Sequence, residues 1–147
     1  MVTKSIRDLL RAVVDPEIPA LTIEDLGILR GIEETPDGVV VSITPTYSGC
    51  PAMDTIVEGI VAVLGLAGHR AEVRSVLAPP WTPLFITEEG RRKLAAASIA
   101  PPGGQPRCPR CADPNPRLVS EFGSTACKAL MVCTSCGEPF DRFKDLP

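Results

Sequence analysis

Six cysteines offer the most recognisable chemistry in this chain of 147 residues, and five of them follow residue 107. Four of these five form two pairs with Cys-x-x-Cys spacing, Cys108 with Cys111 and Cys133 with Cys136. A two-residue spacer lets both thiolates of a pair reach one tetrahedral ion, and four thiolates with no open position are typical of structural zinc. Spacing leaves open an iron–sulfur cluster on the same ligands. The sequence therefore predicts a metal centre in this part of the chain.

The module that carries these pairs, residues 107–147, is too short to be stabilised by an apolar core alone. We therefore expect the bound metal to supply much of its folding free energy, as it does in zinc fingers. Cys127 is a fifth thiol within the module, and two interpretations of it stay open. It is either a small buried residue on a strand or a residue that contacts the metal ligands without binding the metal itself.

A second candidate site combines an acidic loop with the remaining cysteine. Pro51 fits the first position of a helix, so Cys50 is the predicted N-cap, where backbone N–H groups and the helix dipole favour the thiolate. Thr46 adds a hydroxyl just before it. If the loop with Asp15 and Glu17 packs beside this helix start, the mixed oxygen and sulfur pocket could hold a transition metal transiently or bind a partner's reactive group. The alternative is two solvated carboxylates and a cysteine buried by packing.

The elements that must position this site form a predicted α+β domain over residues 1–100. Alternating apolar residues predict a small three-stranded sheet, with strands over 28–34, 39–44 and 69–77. Apolar residues at helical spacing predict helices over 3–14, after residue 51 and after a cap at Thr87, with a helical turn over 21–26. A Pro/Gly linker over 101–106 then joins the domain to a zinc-ribbon-like module over 107–147.

Composition excludes several classes of function. The formal net charge is −3, whereas nucleic-acid and anionic-membrane binding need a basic surface, so neither partner is expected. No apolar run approaches the roughly 20 residues of a membrane span. The first residues lack the apolar segment of a signal peptide, so we expect a cytoplasmic protein. His69 is the single histidine, and no Ser-His-Asp set can be assembled around it.

Several stretches of the chain resemble the family of small iron–sulfur assembly factors that includes SufT. These stretches are 15–19 (DPEIP), 25–28 (DLGI) and 44–51 (TPTYSGCP). Others are similar to one branch of that family, the PaaD family of phenylacetyl-CoA epoxidase components. Those are 79–81 (PPW), 99–102 (IAPP), 122–128 (FGSTACK), 138–140 (EPF) and both Cys-x-x-Cys pairs. The resemblance extends from about residue 15 to residue 144.

The resemblance implies an accessory protein, and not an enzyme, of the multicomponent oxygenase that epoxidises the ring of phenylacetyl-CoA in aerobic phenylacetate degradation. It implies a role in the assembly of a metal centre, and the reductase with its iron–sulfur cluster and flavin is the implied client. Asp15, Glu17, Thr46 and Cys50 then form the assembly site, which would take iron or an iron–sulfur cluster transiently. The zinc ribbon becomes a docking or stabilising module.

Two other classes of function stay open at this point. The chain could be a structural or regulatory subunit of the oxygenase complex, with no chemistry of its own. It could also be an autonomous thiol enzyme that uses Cys50 with Glu17 as the base. The expected partners are the epoxidase subunits, and the exposed acidic site leaves a homodimer open.

Overall fold

The described residues up to 100 combine helices with strands, and the described residues after 100 form strands and turns. The computed structural model describes residues 5–46, 51–125 and 127–144. The helices are α1 (Ile6–Leu10), α2 (Ala52–Leu66) and α3 (Glu88–Ala96), with a 3₁₀ turn over Pro83–Phe85. The strands are β1 (Val14–Asp15), β2 (Ile18–Thr22), β3 (Leu29–Thr35), β4 (Gly38–Ile43), β5 (Ala71–Ser75), β6 (Ile99–Ala100), β7 (Arg117–Ser120), β8 (Lys128–Val132) and β9 (Pro139–Phe143). No helix in the described ranges is long and apolar enough to cross a membrane.

A three-stranded sheet in the order β3-β4-β5 forms the framework of the N-terminal half. β3 and β4 are an antiparallel hairpin, whereas β4 and β5 run parallel and are connected through α2. Val39, Val41 and Ile43 of β4 are buried, as the alternating pattern predicts. They share one apolar cluster with the buried side chains of α2, which include Ile56 and Ile60. The predicted α+β fold with a three-stranded sheet is confirmed.

The N-terminal segment differs from the single helix predicted over 3–14. α1 ends at Leu10, and Val14 and Asp15 instead form β1, which pairs with β2. Pro16 disfavours the helical conformation at Asp15, so the chain is already extended when it reaches the proline. The helical turn predicted over 21–26 is also partly wrong, because β2 includes residues 21 and 22 and the turn follows over 23–27.

A four-stranded sheet in the order β6-β9-β8-β7 forms the C-terminal half, and it packs against the first half. Phe143 of β9 and Cys127 belong to the same apolar cluster as the central sheet. The rings of Phe143 and Trp81 lie 5.7 Å apart between centroids, and the indole N–H of Trp81 donates to the Leu26 carbonyl over 2.8 Å. The two halves therefore share one core.

The predicted linker over 101–106 contacts both halves of the molecule. Arg91 of α3 donates to the carbonyl of Pro102 over 2.7 Å, and Arg142 of β9 donates to the carbonyl of Gly104 over 3.3 Å. β6 precedes this segment and pairs in parallel with β9, so the C-terminal sheet takes one strand from residues before 101. The domain boundaries at residues 100 and 107 stay predictions.

We expect Phe143→Ala to lower the free energy of unfolding by about 3–5 kcal/mol, because a fully buried ring is removed from the shared core. Phe122→Ala is the control, since that ring is 70% exposed. Its cation–π contact with Lys144 is worth only ~1 kcal/mol at an exposed position. Urea denaturation measures both variants, and equal losses would contradict the shared core.

Candidate functional site

The sulfur atoms of the four paired cysteines all lie within 4.8 Å of one another. Cys108 Sγ is 3.7 Å from Cys136 Sγ, and Cys111 Sγ is 3.5 Å from Cys133 Sγ. A tetrahedral zinc ion with Zn–S bonds of about 2.3 Å separates its ligand sulfurs by about 3.8 Å. The donor set and its spacing therefore fit one bound metal ion of this size.

Each Cys-x-x-Cys pair forms a tight turn that directs backbone N–H groups at a ligand sulfur. The amide nitrogens of Arg110 and Cys111 lie 3.4 Å from Cys108 Sγ, and that of Cys136 lies 3.4 Å from Cys133 Sγ. The Cys136 N–H is the main cause that lowers the pKa of Cys133 to about 7. At Cys133 the turn thus favours the thiolate, which is the form that binds metal.

The acidic loop between β1 and β2 is built around Asp15, which is 7% exposed. Its Oδ1 accepts hydrogen bonds from the backbone N–H groups of Glu17, over 2.7 Å, and Ile18, over 3.3 Å. Burial raises the pKa of Asp15 above its ordinary value, and the nearby Glu17 charge adds to this rise, while the two N–H groups and Lys128 oppose it. Asp15 is therefore a buried residue and not a solvated one.

The other two predicted residues of this site lie before α2. Thr46 is buried, whereas Cys50 lies outside the described residues. The predicted N-cap role of Cys50 is wrong, because α2 begins at Ala52 and its N-cap is Pro51, one residue later than predicted. The approach of Cys50 to the acidic loop stays a prediction. The helix predicted after it is present, begins at Ala52 and contacts β1, the strand that ends at Asp15.

A contact between the C-terminal half and the acidic loop was missed by the sequence reasoning. The Cys127 thiol donates to Glu17 Oε2 over 3.5 Å and lies 3.0 Å from Thr125 Oγ1. The Lys128 ammonium donates to the Glu17 carbonyl over 3.3 Å. Glu17 and Cys127 are 110 residues apart, so no spacing rule connects them. The one available signal is that Cys127 and Lys128 lie in a stretch that resembles the PaaD family.

Cys127 is buried and is not one of the four sulfurs that converge. It directly precedes β8, and Cys133 directly follows the same strand. Six residues of extended chain correspond to roughly 20 Å between the two cysteines. This position favours one of the two interpretations of Cys127, a small buried residue beside a strand. It does not favour a residue that contacts the metal ligands.

Two family models identify the class of protein to which the chain belongs. Residues 3–78 match the family model described as iron–sulfur cluster assembly protein, and residues 98–144 match the one described as PaaD zinc beta ribbon domain. Two solved structures resemble part of the chain. A domain of unknown function, DUF59, from Bacillus anthracis has a TM-score of 0.56 and 28% identity and covers 60% of this chain and 87% of its own. A conserved hypothetical protein from Thermotoga maritima has a TM-score of 0.51 and 29% identity. The match covers 63% of this chain and 94% of the Thermotoga chain.

The chain belongs to the PaaD family of phenylacetyl-CoA epoxidase components. It is 45% identical over 146 residues to an Escherichia coli K12 protein named as the putative D subunit of 1,2-phenylacetyl-CoA epoxidase, covering 92% of this chain and 88% of that protein. It is also 34% identical over 91 residues to the "Fe-S protein maturation auxiliary factor" of Porphyromonas gingivalis, covering 58% of this chain and 84% of that protein. The predicted family is confirmed.

We expect Cys133→Ser to abolish stable metal binding, because three thiolates and a hydroxyl replace the four convergent sulfurs. The C-terminal sheet should then become sensitive to protease, since the metal supplies much of its stability. Cys127→Ser is the matched control and should retain about one metal ion per chain. Metal analysis and limited proteolysis measure both effects. A Cys133→Ser protein with wild-type metal content and protease resistance would contradict the assignment.

The pH dependence of Cys127 reactivity tests the contact with the acidic loop. Burial raises the pKa of the Cys127 thiol to about 11, and the negative charges of Glu17 and Asp15 add to this. Glu17→Gln removes one of these charges, so the pKa of Cys127 should fall. Alkylation rates against pH, measured in metal-loaded Cys50→Ser protein, report this pKa. The exposed Glu58→Gln should leave the profile unchanged, and the contact is wrong if Glu17→Gln does so too.

Proposed function

We propose that this chain is an accessory factor that assists the assembly of a metal centre in the multicomponent phenylacetyl-CoA epoxidase, with the iron–sulfur reductase as its client. The observation that carries the proposal is the union of an assembly-family domain and the PaaD ribbon in one core. One relative is named as an epoxidase subunit and another as a factor in Fe–S protein maturation. An assembly role within the epoxidase system combines both descriptions.

The proposed assembly site consists of Asp15, Glu17, Thr46 and Cys50. Iron or an iron–sulfur cluster is its transient cargo and not a resident cofactor. Carboxylate oxygens and a thiolate are suitable donors for iron, and Asp15 is held in one conformation by two backbone N–H groups. A site whose groups are already ordered loses less conformational entropy when it binds, which supports this loop as a binding element.

The four-cysteine centre has a separate, structural role in the proposal. Zinc is the assigned metal, because four thiolates at tetrahedral spacing leave no position open for a substrate. Bound zinc would supply folding free energy to the ribbon. Cys108, Cys111, Cys133 and Cys136 would hold it, and backbone N–H groups of the two turns contact the sulfurs of Cys108 and Cys133.

The proposal places the chain in the cytoplasm, with the epoxidase subunits as its partners. A formal net charge of −3 disfavours binding to nucleic acid or an anionic membrane, which supports a protein partner. The chain itself performs no turnover in this account. Its product is a client that contains its metal centre.

Co-expression with the reductase tests the assembly role. We expect Cys50→Ala and Glu17→Gln to lower the iron and sulfide content of the purified reductase to about the level obtained without this chain, because both remove a side chain that would contact the cargo. Glu58→Gln, an exposed carboxylate of α2, is the matched control and should support wild-type content. Circular dichroism verifies that each variant is folded.

Other outcomes assign the chain to a different class. If omission of the chain lowers epoxidase activity while Cys50→Ala and Glu17→Gln leave the client fully loaded, the chain is a structural or regulatory subunit. If the isolated protein turns over a substrate and Cys50→Ala abolishes that turnover, it is a thiol enzyme. Either result would overturn the assembly proposal.

A further inference from the structure

The carboxylate and the carbonyl of Glu17 are contacted by residues of the C-terminal half. Within its own loop, the backbone N–H of Glu17 donates to Asp15. Its carboxylate and its carbonyl are contacted instead by Cys127, over 3.5 Å, and by Lys128, over 3.3 Å. Both partners are buried, at 4% and 5% exposure, so these contacts are protected from solvent. The conformation of Glu17 therefore depends on the placement of the start of β8.

The start of β8 is itself fixed by the contact between the two halves. The Lys128 backbone pairs with Phe143 across β8 and β9, and the backbone N–H of Lys144 donates to the Cys127 carbonyl over 2.9 Å. Phe143 packs on Trp81, whose indole is hydrogen-bonded to the N-terminal half. Cys127, Lys128 and Phe143 thus form one docking end of the C-terminal sheet, and they dock or separate together.

The metal centre lies at the opposite end of the same two strands. Val132 pairs with Pro139, and Cys133 follows β8 directly. The five buried residues that form the separate apolar cluster of this end include two metal ligands; they are Ala100, Cys108, Met131, Cys133 and Phe140. So small a cluster stabilises this end of the sheet only weakly without the metal. Because β8 and β9 pair continuously from this end to Lys128 and Phe143, we expect loss of the metal to loosen the docking end as well.

We propose that the metal-loaded ribbon is part of the assembly site. Cys127 and Lys128 are positioning residues for Glu17. Metal occupancy of the four cysteines determines whether these contacts hold Glu17 or release it. The inference rests on the proposed function for its biological meaning, because it makes the ribbon metal a condition for an active site elsewhere. The chain must then acquire its own metal before it serves its client. The ribbon then regulates the assembly site in addition to stabilising the fold.

The first test follows the docking end without any client. Trp81 is the only tryptophan, so its fluorescence reports directly on its contact with Phe143. In Cys50→Ser protein, removal of the metal with a chelator should shift Trp81 emission to longer wavelength. Alkylation of Cys127, followed by peptide mass spectrometry, should become at least about ten-fold faster because local opening exposes the thiol. Both changes should reverse when Zn²⁺ is restored.

Unchanged emission and unchanged Cys127 alkylation after complete metal removal would overturn the inference. The matched control is metal-loaded Phe143→Leu, which weakens docking while it leaves all four ligands in place. It should increase Cys127 alkylation at full metal content. If it does not, the docking end does not control access to Cys127, and the inference also fails.

The second test distinguishes a positioning role from thiol chemistry at Cys127. Cys127→Ala removes the donor to Glu17 and should lower reductase loading, whereas Cys127→Ser retains a donor and should restore it, with ribbon metal content unchanged in both. Failure of Cys127→Ser, despite wild-type Trp81 emission, would overturn the positioning role. If the wild-type chain itself does not raise the iron content of the reductase, the proposed function fails, while the chelation test still decides the structural coupling.

Discussion

The packing of Phe143 against Trp81 is the contact on which the rest of the molecule depends. It joins the end of β9 to the loop that precedes α3, and the indole N–H anchors that loop to the carbonyl of Leu26. Aromatics are only 4% of the chain, and Trp81 and Phe143 are the two aromatic rings among its largest fully buried side chains. Because one ring comes from each half, the packing of these two rings couples the folding of the assembly domain to the docking of the ribbon.

Burial where the two halves of the molecule meet has an electrostatic consequence for the acidic loop. Asp15 and Lys128 are both nearly excluded from water, a costly placement unless each finds a partner. Asp15 receives two backbone N–H groups, and Lys128 donates to the Glu17 carbonyl while its charge opposes the rise in the pKa of Asp15. The groups therefore stabilise one another only while the two halves are docked. The chemistry of the loop is conditional on the tertiary contact.

The metal centre and the acidic loop therefore lie at opposite ends of the same pair of strands, β8 and β9. β8 and β9 pair over their whole length between these ends, and backbone hydrogen bonds make such a ribbon stiff compared with a flexible linker. Four thiolates add the stability that a small apolar cluster lacks. An assembly domain with this appendage can respond to its own metal content, a property that a simple docking tail would not give it.

Features that depend on neighbouring residues could be predicted from the sequence. The two Cys-x-x-Cys turns, the alternating strand at Val39–Ile43, the helix after residue 51 and the cap at Thr87 follow local rules of spacing, periodicity and hydrogen bonding, and all are present. The predicted length of α1 is wrong because pairing of β1 with β2 overrides helical periodicity there. The meeting of Cys127 and Lys128 with Glu17, and the burial of Asp15, required the tertiary structure. Contacts across 110 residues arise from how whole sheets pack, and no local pattern encodes that packing.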